Sequence, residues 1–255
     1  MSGSEAASVA SLTLIGRLPG AQVREDMDAT VVASGRPLSS FNHVLGIALS
    51  GESHAIEARI DQIHQSLTDA RSTPATWWIT PATEPADLGA RLQARGFTAA
   101  EREYGMVIET DRGAAPTADV EPVDKPATLD EWLEVMARSY GWADRRRAEA
   151  WATLYRAPID EGAIPWRHVL VRRHGLPVAC ASLFTAAGHA FVTNVGTVPE
   201  ARGHGSGTSA TLAVVAIARD LGYRQASLAA SEMGRSIYAR IGFREDARLE
   251  RWISG

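Results

Sequence analysis

The feature that most constrains this chain is a turn, Arg202-Gly203-His204-Gly205-Ser206-Gly207. It stands between a strand-like stretch, His189 to Val198, and a run in which Val214, Ile217, Ala218 and Leu221 recur at i, i+3, i+4 and i+7. That order predicts a strand, a tight turn and a long helix with one buried stripe. Successive backbone N–H groups at such a turn converge on one spot, and the helix start adds a partial positive charge. Glycines permit positive φ and keep side chains out of the way. The spot therefore suits a pyrophosphate, with Arg202 adding charge at the rim. A glycine turn that merely caps a helix has the same composition. The spacing is not the G-x-G-x-x-G that follows the first strand of a βαβ unit, and no Lys-Ser or Lys-Thr closes it as in a P-loop.

The surroundings specify more. Thr128-Leu129-Asp130-Glu131 has the form of a capping box, and Leu129, Trp132, Leu133 and Met136 continue it with helical spacing. A second helix is expected over Asp144 to Tyr155, after the aromatic bend Tyr140-Gly141-Trp142. Strands are expected over His168 to Arg172, Val178 to Phe184 and His189 to Val198, with turns at His174-Gly175-Leu176-Pro177 and Ala186-Ala187-Gly188. This is an antiparallel meander. Beyond the long helix, which Gly222 is placed to end, come a strand (Gln225 to Ala230), a short helix (Met233 to Arg240) and a closing strand (Phe243 to Trp252). The fold class is α/β (α+β): a mixed, mostly antiparallel sheet flanked by helices. The small, proline-bearing stretch Gly113 to Pro122 suits a linker, so two tandem domains are expected, 1–112 and 123–255, joined by 113–122.

The first half repeats the end of the second. Thr76-Trp77-Trp78-Ile79, Leu88 to Arg95 and Gly96-Phe97 follow the order of Ala226-Ser227-Leu228-Ala229, Gly234 to Ile241 and Gly242-Phe243. Each is strand, short helix, Gly-Phe, strand. Tyr238 lies four residues before Gly242, whereas Leu92 lies four before Gly96. The first half also lacks a glycine-rich turn between a strand and a long helix. It is expected to be a copy without a cofactor grip.

These residues resemble the GNAT superfamily of N-acetyltransferases. Its motif Arg/Gln-x-x-Gly-x-Gly/Ala is matched by Arg202, Gly205 and Gly207, approached by Val198-Pro199-Glu200. Tyr238 with Gly242-Phe243 is similar to the family's Tyr-x-x-x-Gly-Phe ending. The resemblance spans roughly Val123 to the C-terminus. It implies acetyl-CoA (or another acyl-CoA) as cosubstrate, with its pantetheine arm in a gap between the strand ending at Val198 and the next one. Backbone near Thr197 and Val198 would bond the arm, and Ser231 would sit beside it. Gly203, His204, Gly205, Ser206, Gly207 and Thr208 would hold the pyrophosphate. It also implies Tyr238 as the general acid. Relatives with a base on the strand before the motif carry a carboxylate about thirteen residues before its arginine; here that position is His189. Histidine is a competent base near neutral pH, and ordered water is the other reading.

Composition narrows the classes. The chain has 255 residues, 45% hydrophobic and 22% charged, with a net charge of −4, which does not supply the basic face of a nucleic-acid binder and counts against transfer from aminoacyl-tRNA. Its single cysteine, Cys180, lies in an apolar run and is expected to be a buried strand residue. No leader or membrane span is read, so the default address is the cytoplasm. The seven histidines show no paired ligand spacing, so no metal is expected. Tyr140 and Trp142 either border an acceptor pocket, where rings can hold a cation, or pack a helix pair. Trp77 and Trp78 face opposite sides of a strand and are expected to be structural. Arg145-Arg146-Arg147 is expected to be a solvated face. The functional expectation is transfer of an acetyl group to a primary amine of a small molecule or peptide, by a monomer or homodimer. The alternative is a non-catalytic acyl-CoA sensor or scaffold.

Overall fold

The computed structural model describes residues 2–113, 115–116, 118–142, 145–161 and 166–255. The chain forms two units: Met1–Gly105 with Ala247–Gly255, and Met106–Asp246.

The first unit contains α1 (Gly3–Thr13), β1 (Gln22–Glu25), β2 (Thr30–Ala33), β3 (His43–Leu45), α2 (Ser53–Asp69), β4 (Thr76–Ile79), α3 (Leu88–Ala94) and β5 (Thr98–Ala99); β6 (Glu103–Glu109) then runs on into the second. The second unit contains β7 (Asp119–Pro122), α4 (Pro126–Ser139), α5 (Arg145–Glu161), β8 (Trp166–Arg173), β9 (Leu176–Ala186), β10 (His189–Thr197), α6 (Ser206–Asp220), β11 (Gln225–Ser231) and α7 (Glu232–Ile241). The last strand, β12 (Arg244–Ile253), gives its end to the first unit, where Trp252 and Ile253 pair with Trp77 and Thr76.

In the first unit the strand order is β1-β2-β3-β4-β12, with β5 on β12. Ile56, Ile60, Ile63 and Leu67 of α2 are buried, one helical face set on Trp77, Leu88, Leu92 and Phe97. Trp77 and Trp78 do point to opposite faces. Trp77 meets Phe97 edge-on at 5.7 Å, while the Trp78 indole N–H donates to His43 Nδ1 at 3.2 Å.

In the second unit the order is β6-β11-β10-β9-β8-β7. The pairs β1–β2, β2–β3, β4–β12, β5–β12, β7–β8, β8–β9 and β9–β10 are antiparallel, and β3–β4 and β10–β11 are parallel. The mixed, mostly antiparallel sheet expected from sequence is therefore present. The meander's turns are His174-Gly175 and Ala187-Gly188, both residues of each at positive φ, the geometry that matches the twist of a two-residue hairpin. Val178 to Phe184 are all buried, so both faces of β9 are covered. That is why this strand lacks polar alternation.

Four details differ from expectation. α4 begins at Pro126, a proline at N1, and Thr128 sits at N3, its hydroxyl bonded to Lys125 N–H and C=O at 3.3 and 3.0 Å. Pro126 pre-sets the helical φ two residues before the predicted cap. In α6 the buried stripe runs through Thr211, Val214, Val215 and Ala218, and Leu221 is 46% exposed. The apolar run from Ala210 to Ala218 fits more than one helical stripe, and packing chose the neighbouring one. Asp119–Pro122, expected inside the linker, pairs with Val169–Arg172 as an edge strand. The end of the closing strand, expected to stay with 123–255, belongs to the first unit. The start of the second helix at Asp144 and the side chains of Arg145 and Arg146 lie outside the described residues.

Candidate active site

Parting strands build the site. β10 and β11 pair in parallel at Phe191↔Ser227 and Val192↔Leu228, and pairing stops there although β10 continues to Thr197 and β11 to Ser231. The cause is a bulge. Thr193 faces Ser182 and Gly196 faces Cys180, so Asn194 and Val195 together oppose Ala181. Asn194 takes φ 53, a conformation asparagine tolerates better than most residues. Its Nδ2 donates to Tyr155 Oη at 2.7 Å and Ser182 Oγ at 3.2 Å, and Ser182 Oγ lies 2.7 Å from His168 Nδ1. The Cys180 thiol donates to the Asn194 carbonyl at 3.3 Å. Cys180 is fully buried and burial pushes its thiol up to about 12, as a structural strand residue requires. A Cβ on Gly196 would lie 2.6 Å from Ser139 Cβ, so only glycine lets the end of α4 close on the bulge.

Past the bulge, Val198 N–H donates to Val178 O at 3.0 Å and Val198 O accepts from Ala201 N–H at 3.0 Å. Both main-chain groups of Val198 are thus engaged within the protein. Alternation along an antiparallel strand then turns the N–H and C=O of Thr197 away from β9, into the gap. The Thr197 carbonyl accepts from Arg202 Nε at 3.2 Å, and Arg202 Nη2 donates to Ser139 O at 3.0 Å. The Arg202 side chain, expected only to add charge at the rim, also ties the turn to the ends of β10 and α4.

The turn itself has the geometry of an anion cradle. Gly203 and Gly205 have φ 78 and 80, and a Cβ on either would meet nothing within 4 Å, so backbone conformation demands glycine there. Gly205 is the N-cap of α6 and no side chain caps the helix. The first helical bond after it is Ser209 N–H to Gly205 O at 2.9 Å, which leaves the N–H groups of Ser206, Gly207 and Thr208 to an outside partner. A Cβ on Gly207 would lie 2.9 Å from Thr197 Oγ1, so this glycine serves close packing. His204 is exposed.

Ser231 ends β11 and caps α7, its Oγ accepting from Gly234 N–H at 3.2 Å. Tyr238 stands two turns along α7 with its ring beside Gly234 and edge-on to Phe243 at 5.8 Å. Its hydroxyl bonds to no described residue. Burial pushes the phenol up to about 12, so it stays protonated at neutral pH. His189 is half-buried at the hairpin end of β10, opposite Ala186. It stands three residues before Val192, about 10 Å along the strand. No hydrogen bond among the described residues links it to Tyr238.

Sequence reasoning named Tyr140 and Trp142 but missed Trp151 and Tyr155, which join them under α4 and α5. Tyr140, Trp142, Trp151 and Tyr155 stack in succession, with centroids 5.6, 6.2 and 5.4 Å apart and planes within 25, 11 and 12°. Tyr140 Oη donates to Val195 O at 3.3 Å, so both ends of this column are tied to bulge residues. Burial among Trp132, Tyr155 and Trp166 holds the His168 imidazole down at about 3 and raises the Tyr155 phenol. The i, i+4 spacing of Trp151 and Tyr155 was the available signal. Nothing local announced the bulge that makes them matter.

Residues 129–243 match the Acetyltransferase (GNAT) family. No curated protein matches the chain. Among solved structures, a GCN5-related N-acetyltransferase from Kribbella flavida superposes with a TM-score of 0.76 at 18% identity, covering 100% of this chain and 96% of that one. A tandem GNAT protein from the clavulanic acid biosynthesis pathway gives 0.62 at 16%, covering 99% and 92%. A GCN5-related N-acetyltransferase from Sphaerobacter thermophilus gives 0.61 at 14%, covering 89% and 80%. The match to that family covers residues 129–243, less than half of the chain. The chain as a whole has the fold of GNAT proteins, a tandem one among them.

Proposed function

We propose that this protein is an N-acetyltransferase that moves an acetyl group from acetyl-CoA to a primary amine of a small molecule or peptide. The observation that carries this reading is the conjunction of a strand gap with an uncapped helix start at its mouth. The gap offers the Thr197 N–H to an amide of the pantetheine arm, with Val198 and Ser231 beside it. The N–H groups from Gly203 to Thr208, His204 included, surround the spot for the pyrophosphate. The glycines leave that spot open, so the residues present fit an acyl-CoA.

In the proposed reaction the neutral amine attacks the thioester carbonyl, the C–N bond forms and the C–S bond breaks. The attacking nitrogen gives up a proton to solvent, the sulfur leaves with the bonding pair and takes a proton from Tyr238, and the phenolate is reprotonated from solvent, so that amide and free thiol are the products. A thiol's ordinary pKa of about 8.5 makes the thiolate a fair leaving group, so the acid need only be close and protonated, as a phenol near 12 is. An alkyl ammonium has a pKa of about 10.4 and must first lose a proton. His189 is the residue base the family count points to. Its place at the far end of β10 favours loss through ordered water instead.

We also propose that the first half is a GNAT-like copy without a cofactor site. The test is steady-state thiol release with acetyl-CoA and a panel of primary amines. Release that depends on an amine and disappears in an Arg202→Ala/Gly205→Glu double variant supports the reading. Tight acetyl-CoA binding with no release for any amine turns it into the sensor reading.

A further inference from the structure

The chain was expected to show a solvated arginine face at 145–147. Arg147 departs from this. It is half-buried, and its Nε is sealed from solvent with no hydrogen-bond partner. Among the described residues no carboxylate pairs with it, whereas Arg138, Arg156, Arg172 and Arg235 of the same unit are paired with Glu200, Asp130, Glu121 and Glu245. A guanidinium cannot shed its proton to escape burial. An unpaired buried donor costs its desolvation, and an anion from outside the chain would satisfy the Nε of Arg147.

Its position says which anion. Arg147, Trp151 and Tyr155 lie at i, i+4 and i+8, along one face of α5. Tyr155 receives the Asn194 hydrogen bond at the bulge, and the stacked column returns to the bulge through Tyr140 and Val195. Both ends of this column, Tyr140 and Tyr155, therefore stand where the strands part and the thioester would lie, and Trp142 and Trp151 form its middle. Arg147 stands about 6 Å along the helix axis from Trp151 and about 12 Å from Tyr155, on the side away from the bulge. Tyr155 is buried, whereas Trp142 and Trp151 are partly exposed, so a molecule with its amine at the bulge and its body against these two indoles would bring its far end to Arg147. We propose that Arg147 binds a carboxylate of the acceptor, so that the amine acylated by this chain belongs to an amino acid or a similar amine–carboxylate with an apolar or aromatic body. This inference rests on the transferase reading for the amine's fate, but not for the acid's binding.

The probes are 4-(aminomethyl)benzoate and 4-(aminomethyl)benzamide, which differ only in the charge at the end away from the amine. Thiol release should favour the acid ~10- to 100-fold in kcat/KM, the range expected of a hydrogen bond to a charged group. Arg147→Met should bring that ratio to about one, and Arg147→Lys should recover part of it. Calorimetry of the same two probes against protein saturated with CoA reads the preference without turnover. A preference in binding with no thiol release sinks the transferase reading and keeps this one. Equal handling of acid and amide by the wild-type protein overturns the inference, and needs no variant to fold. A preference that survives in folded Arg147→Met overturns it as well.

Discussion

The two halves close the same short helix in the same way and put different side chains on it. In the first, Gly96 N–H bonds Gln93 O at 2.9 Å and Phe97 N–H bonds Leu92 O at 3.1 Å; in the second, Gly242 N–H bonds Ala239 O at 3.1 Å and Phe243 N–H bonds Tyr238 O at 3.0 Å. Gly96 and Gly242 both take positive φ. Leu92 is sealed in a core, and Tyr238 keeps a hydroxyl with no described partner. The strand-to-helix turns diverge further. Between β3 and α2, Ile47 and Leu49 are buried, and the main chain is bonded to Glu84 through Ile47 O at 3.1 Å and Leu49 N–H at 2.9 Å. Glu52 is the N-cap of α2. A carboxylate stands at the helix start, where an anion cradle would need none, and the loop leading to it is tied to Glu84. The repeated scaffold is thus a matter of backbone and glycine. On the proposed reading, what fills one turn decides whether it holds a ligand.

The largest effect expected from breaking this contrast is at the turns. Gly205→Glu puts a carboxylate into the open cradle and strains a residue at φ 80, and should weaken acetyl-CoA binding by at least ~100-fold in calorimetry. Glu52→Gln in the first half should leave that affinity within about twofold. Next comes the short helix. Tyr238→Phe should lower kcat by about 10²-fold, at the low end for loss of a general acid, with the KM for acetyl-CoA within about threefold. Leu92→Ala should instead cost about 2–5 kcal/mol of stability in urea melts, the range for a core leucine.

Asn194→Ala removes two hydrogen bonds that hold the bulge and should raise the KM for acetyl-CoA about tenfold. The smallest effect is on pH. His43 and His168, one in each unit, are held neutral by burial at about 4 and about 3. The unfolded chain binds protons at about 6.5, so their contribution is full above that pH and falls as pH drops toward 4 and then 3. Melting temperature should decline through that window, and a His43→Gln variant should flatten the upper part of the decline.

Much of this was legible in the sequence because it was local. The hairpin turns, the cap at Gly222, the motif turn and the Gly-Phe repeat each depend on a few adjacent residues with particular φ demands. The bulge at Asn194 was not legible, since it is a count of residues against a partner strand. The rotation of the α6 stripe was hidden by an apolar surplus. The exchange of the final strand was hidden because β12 would suit either sheet edge. Arg147 was misread for a related reason: charge in a helix run is usually solvated, and only packing reveals one that is not.

The central claim is that one half grips the cofactor and the other cannot. Titrating acetyl-CoA into the full chain by calorimetry tests it directly. The account predicts one site per chain, abolished by Gly205→Glu and indifferent to Glu52→Gln. Two sites, or a single site that survives Gly205→Glu, would contradict it.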